Sequence, residues 1–311
     1  MTTLAPARDG LMNALRRNYR RNSWLYWMTV PVVVYYFVFH YLPMFGIVIA
    51  FQDYRPARGF LGSRWVGMQN FRDFFASPFA GRLIRNTMMI NVWSLLFGFP
   101  APILLALLLN EIKHTAYKRS IQTLSYLPHF ISLVVICGML KEFSMTTGLF
   151  NDILAAFGLG RLNLLGEARL FRSVYVGSGI WQTIGWGSII YLATLAGADP
   201  NLYEAAVIDG ANRFQRVIHI TFPTLMPLVV LQLILRMGQM MNVGHEKIIL
   251  LYTPLTYETA DVISSYIYRR GLQESKYSLG VAIGLFNALI NLGLVVFSNW
   301  FSNRTVQEGL W

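Results

Sequence analysis

The sequence predicts an all-α membrane protein with six transmembrane helices, and three observations carry that prediction. Of 311 residues, 55% are hydrophobic and only 13% are charged, about half the roughly 25% charged share of a soluble domain. The mean hydropathy is +0.44. The apolar residues also gather in six blocks, each close to the roughly 20 residues a helix needs to cross a bilayer.

The blocks follow in order. Residues 1–23 form a cytoplasmic N-terminal segment, with Arg16, Arg17, Arg20 and Arg21 just ahead of the first block. A signal peptide starts in a similar way, but the run 24–51 is far longer than a signal's apolar core and reads as an uncleaved first span. It contains Pro31 and Pro43. Residues 52–85 form an outer segment with an interfacial helix around 70–75. The second span is 86–109, with Pro100 and Pro102; the third is 121–140, with Pro128. Gly158 and Gly160 mark turns in the outer segment 141–172. The fourth span is 173–196, the loop 197–222 is cytoplasmic, and the fifth span is 223–243. Residues 244–276 read as an outer, polar loop containing Pro254. The sixth span, 277–301, is lightly interrupted by Asn287 and Asn291. The stretch 24–302 is thus one membrane domain, followed by a cytoplasmic tail at 303–311.

Orientation follows from Lys and Arg close to span ends. The four arginines before the first span, and Lys113, Lys118 and Arg119 in the short loop after the second, place both termini in the cytoplasm. Arg8, Arg21, Arg213, Arg216 and Arg304 fall on the same side. The net charge of +11 is explained by this topology. No groove-reading basic helix, RNP motif or Cys/His finger points to nucleic acid. The single cysteine, Cys137, lies in an apolar run and permits no intrachain disulfide; it reads as a small hydrophobe.

The most informative stretch is the cytoplasmic loop. Asp199 suits an N-cap and Pro200 the first helical position. A short helix over 202–208 carries Glu204, Ala205 and Ala206, and then come Asp209, Gly210 and Ala211. Gly210 permits a left-handed turn, and a second helix starts near Ala211 and reaches the membrane at Pro223. The small alanines let another protein approach the helix closely, and Glu204 and Asp209 offer acceptors. Glu-Ala-Ala followed three residues later by Asp-Gly-Ala, then an apolar stretch ending in Pro, is far more specific than the triplet alone.

At these residues the chain resembles the permease subunits of binding-protein-dependent ABC importers, and more closely their carbohydrate-uptake branch. The resemblance covers nearly the whole chain. Trp65-Val66-Gly67-Met68-Gln69-Asn70-Phe71 is similar to that branch's outer-loop signature. Gln122-Thr123-Leu124-Ser125-Tyr126-Leu127-Pro128 is similar to its third-helix entrance, particularly in permeases for complex sugars and polysaccharides. The resemblance implies the ABC importer permease fold, with 204–210 as a coupling helix seated in a nucleotide-binding subunit. It also implies a second homologous permease forming a heterodimer, two ATPase subunits, and an extracellular or periplasmic solute-binding protein. The location implied is the bacterial inner (cytoplasmic) membrane.

The chain is not expected to be an enzyme. A phosphate-cradling loop needs a lysine directly after glycine, and Lys113, Lys118, Lys141, Lys247 and Lys276 all lack that glycine. ATP and Mg would therefore sit on partner subunits, with no cofactor bound by this chain. His245-Glu246 lacks the second histidine of a zinc protease, since Ile249 stands there. His40, His114, His129 and His219 read as interfacial or packing residues.

Candidate pathway residues come from the spans flanking the coupling loop. The fourth carries Gln182, Thr183, Trp186 and Tyr191; Gln182 and Trp186 are spaced to share a face. The fifth carries Gln232, Arg236, Gln239, Met240 and Asn242. A charge within a span costs roughly 3 kcal/mol on insertion scales and usually faces a cavity or partner. Arg236 can grip a carboxylate bidentately, which points to an acidic, uronate-containing oligosaccharide. Its rival role is pairing with an acid of the partner permease. The alternatives for the whole chain are an ABC permease for another solute, or an ATP-independent channel or secondary transporter.

Overall fold

The computed structural model describes Tyr19 and residues 21–305. Arg8, Arg16, Arg17, Arg20 and residues 306–311 of the tail lie outside the described residues. Helix dominates. Helix α1 (Ser23–Phe51) leads into a hairpin of two short antiparallel strands, β1 (Gln52–Asp53) and β2 (Arg64–Trp65), with Gln52 opposite Trp65. An amphipathic helix α2 (Gln69–Ala76) follows, burying Phe71 and Phe74, where an interfacial helix was expected. Then come α3 (Ala80–Glu111), α4 (Thr115–Tyr126), α5 (Leu133–Ser144), α6 (Leu149–Ala156), α7 (Ala168–Ala196) and α8 (Pro200–Ile208). The chain ends with α9 (Arg213–Met237), α10 (His245–Leu251), α11 (Tyr257–Ala260), α12 (Ile263–Tyr266) and α13 (Tyr277–Thr305).

Among the described residues, five helical runs are long and apolar enough to cross a membrane: Ser23–Phe51, Ala80–Glu111, Leu133–Ala156, Arg213–Met237 and Tyr277–Arg304. The remaining expected span, the fourth, lies in α7. This helix is 29 residues long, but Arg169, Arg172 and its glycines, serines, Gln182 and Thr183 dilute its apolar character.

Prolines shape three of the long helices in the same way. Widened π-turns at Phe37–Tyr41, Ser94–Gly98 and Val217–Thr221 each end two residues before a proline, namely Pro43, Pro100 and Pro223. Proline donates no hydrogen bond and its ring pushes on the carbonyl four residues back. A wider turn accommodates both effects without breaking the helix.

Two expectations need correction. The stretch 121–140 is not one continuous span. Pro128 sits in a tight 3-10 turn, Leu127–Phe130, after which Ser132 caps a new helix by accepting from the Val135 amide at 3.4 Å. The membrane-crossing run is therefore shifted toward the C-terminus, to α5 and α6. The segment 244–276 is not a polar loop either. Ile248, Leu251, Ala260, Val262 and Ile263 are almost fully buried, forming cores with Ile136, Cys137 and Phe171 on one side and with Leu83 and Ile283 on the other. Short helices separated by Pro254 and polar residues hid this apolar content from a reading by long blocks.

Buried polar groups fix this segment in place. Asp261 is fully buried and pairs with Arg269 at 2.8 Å and Arg82 at 3.5 Å. The Asn86 amide donates to the Glu258 and Asp261 carbonyls, while its oxygen accepts from Arg172 at 2.9 Å. Burial opposes the Arg269 charge, but the hydrogen bond and charge of Asp261 outweigh it and raise the guanidinium's pKa. Elsewhere α7 runs along α3, and Ile103, Ala106, Tyr191, Leu195 and Leu225 join both to α9. At Gly185 the backbone of α7 meets the α4 end so closely that a Cβ would strike the Ser125 carbonyl. Small residues at such crossings are how membrane helices gain packing contact.

Candidate pathway cavity and capped knob

A cavity of about 700 Å³ lies between α3, α7, α9 and α10. The α7 wall follows helical spacing through Tyr175, Gly179, Thr183 and Gly187, with Gln182 at its edge. The α9 wall is Gln232, Leu235 and Arg236, with Gln239 in the turn that follows. Asn242 follows in the turn after α9, and Lys247 comes from α10. Two asparagines of α13 hold that turn: Asn291 accepts from the Met241 amide at 2.9 Å, and Asn287 donates to the Asn242 side chain at 2.9 Å.

Of the nine residues singled out for the pathway, Gln182, Thr183, Tyr191, Gln232, Arg236, Gln239 and Asn242 line this cavity. Trp186 and Met240 do not. By helical angle Trp186 falls beside Tyr175 and Gly179, so spacing alone does not exclude it. It stacks flat on His129, with ring centroids 4.6 Å apart, on an exposed flank. Met240 is buried in the turn beyond α9, where the helical spacing that placed it beside Arg236 has already ended. Asn91, Ser94, Tyr175 and Lys247 complete the polar wall. Asn91 and Ser94 sit one turn apart on the second span, a spacing visible in the sequence. Lys247 was hidden because its segment read as an outer, polar loop. Among the described residues, neither Arg236 nor Lys247 forms an ion pair, and no Asp or Glu lines the cavity.

The loop 197–222 carries the second candidate site. The Asp199 carboxylate accepts from the Asn201 amide at 2.9 Å, capping α8, with Pro200 in its first turn. At the other end the Gly210 amide bonds the Val207 carbonyl (3.1 Å) and the Ala211 amide bonds the Ala206 carbonyl (2.8 Å). This is a Schellman stop, and Gly210 takes the left-handed φ of +80° it requires. Asn212 and Gln215 then cap α9 reciprocally, and the Tyr203 hydroxyl donates to Thr221 Oγ1 at 3.1 Å, tying α8 to α9. Glu204, Ala205, Asp209 and Gly210 are exposed, Ala206 and Ala211 half-buried. Ile208 is 85% and Phe214 72% exposed. Caps at both ends thus hold a short, rigid, partly apolar knob clear of the bundle.

Residues 98–307 match the family described as "Binding-protein-dependent transport system inner membrane component". The chain belongs to this family. It is a multi-pass inner-membrane permease subunit and not a catalytic one. Among its relatives, LplB of Bacillus subtilis is 41% identical over 94% of this chain and 92% of its own length. The polygalacturonan/rhamnogalacturonan transport system permease protein YteP of Bacillus subtilis is 39% identical over 99% of this chain and 98% of its own. A chain of a bacterial ABC transporter involved in import of the acidic polysaccharide alginate is 43% identical. It superimposes with a TM-score of 0.87 over 94% of this chain and 99% of that one. The same score is obtained with a bacterial alginate ABC transporter in complex with an alginate pentasaccharide-bound periplasmic protein, at 42% identity and the same coverages.

Proposed function

We propose that this permease forms half of the translocation pathway of an ABC importer for acidic, uronate-containing oligosaccharides, with both termini in the cytoplasm. Its partner in the membrane is a second, homologous permease. Two ATPase subunits, carrying ATP and Mg, receive the knob of residues 204–210, and a solute-binding protein delivers the sugar from outside. The observation that carries the reading is the knob itself. Pro200–Ile208 is capped at both ends, tied to α9 through Tyr203, and leaves Ile208 bare. A bare apolar side chain on a rigid mount suits docking into a groove of another protein. Because α8 is tied to α9, which lines the cavity, a displacement of the knob is passed to the cavity wall. ATP can then bias the permease between orientations only through a difference in how the two are docked.

The acidic substrate rests on the charge of the cavity, together with the polygalacturonan and alginate named for the relatives. Gentle purification of the chain from its native membrane, with mass spectrometry of the proteins that accompany it, tests the assembly. Recovery of a P-loop ATPase and a second six-helix permease is expected. Reproducible recovery of this chain alone, transporting without ATP, would refute it.

A further inference from the structure

The cavity holds two cations and no acid, and only one of the cations belongs to a span. Lys247 lies on α10, which also packs into the core beside Cys137 of α5. Its residue is 8% exposed. Its ammonium donates to the Tyr175 carbonyl at 3.0 Å and sits 4.7 Å from the centre of the Tyr175 ring. On the cavity side stands Gly179, where even a Cβ would come within 3.5 Å of Nζ; the missing side chain leaves the ammonium room for a ligand. An ammonium carries three N–H donors, and one hydrogen bond is accounted for here. Holding a buried charge without a counter-ion is costly. Burial accordingly pushes the Lys247 ammonium down to about 8, with Cys137 acting weakly the other way. Packing alone would be served better by Met or Leu, so the cost needs a return elsewhere.

We infer that Lys247 is a specificity-determining residue of the pathway, binding a uronate carboxylate of the substrate while Arg236 binds another on the same chain. This rests on the proposed acidic-oligosaccharide reading. The two cations come from different elements, α9 and α10, on either side of the turn at 238–241. An oligomer with a carboxylate on every sugar can meet each with a separate group. Lysine suits a transit site, since its compact ammonium holds a carboxylate as a point charge rather than by a rigid bidentate fork. Conduction needs several sites that bind and release.

The test uses the complete importer, with its ATPases and binding protein, in proteoliposomes. Uptake of labelled tetragalacturonate is measured below saturation for the wild type, Lys247→Met and Lys247→Arg. The methionine variant is expected to lose at least tenfold while the arginine variant keeps most of its rate. The groups facing Lys247 are Tyr175 and Cys137, with Arg236 in the same cavity, so the lysine itself sets the pH response. Its charged form, present below a pKa of about 8, is the one that binds. The wild-type to arginine ratio should therefore fall as pH rises from 7 to 9.5, and pH effects on the ATPases cancel in that ratio. Equal rates for wild type and the methionine variant would overturn the inference. So would equal loss in both variants, or a flat ratio; each would make Lys247 a packing residue. Should the methionine variant fail to assemble, the arginine variant and its pH ratio decide. Failure of the substrate reading itself is distinct: wild-type importer, with ATPases attached, would then take up no tetragalacturonate, and the role of Lys247 would fall with it.

Discussion

Gly210→Val isolates the turn that holds the knob. A Cβ at this position meets nothing within 4 Å, so the substitution acts through the backbone alone. The native φ of +80° costs an L-residue about 1–2 kcal/mol, and more for a β-branched side chain. The two hydrogen bonds that close the turn, to the Val207 and Ala206 carbonyls, are then strained or lost. A penalty of about 1–2 kcal/mol changes a conformational ratio by roughly 5–30-fold, and coupled uptake should fall by a similar factor. Insertion should be unaffected, because the spans do not depend on this turn. The assay compares ATP-dependent uptake in proteoliposomes with the amounts of permease and attached ATPase. Gly210→Asn is the matched control, since asparagine tolerates the left-handed region and should retain most activity. Wild-type uptake by the valine variant, or equal loss in both variants, would refute the argument.

Three further outcomes are expected. Gly185→Ala should lower the thermal stability of the purified complex, because a Cβ would strike the Ser125 carbonyl and forced overpacking costs about 1–3 kcal/mol; an unchanged melting temperature would contradict that close approach. Asp261→Asn keeps the side-chain shape but leaves Arg82 and Arg269 without their buried anion, a loss of about 3 kcal/mol readable as thermal unfolding in detergent, with wild-type stability counting against the network. Arg236→Ala should reduce uptake of uronic oligosaccharides by tenfold or more and spare neutral ones; equal loss for both would remove its carboxylate role.

Much of the knob was legible in the sequence because its determinants are local. Asp199, Pro200, Gly210 and Asn212 act on backbone within a few residues, so cap, helix, stop and restart follow from order alone. The long spans were legible for a similar reason, since lipid demands an uninterrupted apolar run. The broken third span was not, because Pro128 is tolerated inside a helix in some settings and ends one in others.

Composition and spacing by themselves determined the membrane class, the capped knob and the polar stripe that includes Arg236. Only tertiary structure decided that residues 244–276 fold into the core, that Asp261 pairs with Arg82 from a distant segment as well as with the nearby Arg269, and that Lys247 faces the cavity while Trp186 does not. The physical reason is range. Helical periodicity and capping reach four or five residues along the chain. Pairing of a buried charge and the choice of which helix flank lines a cavity are set by whichever element packs alongside, and in this protein those partners are as far apart in sequence as Arg82 and Asp261.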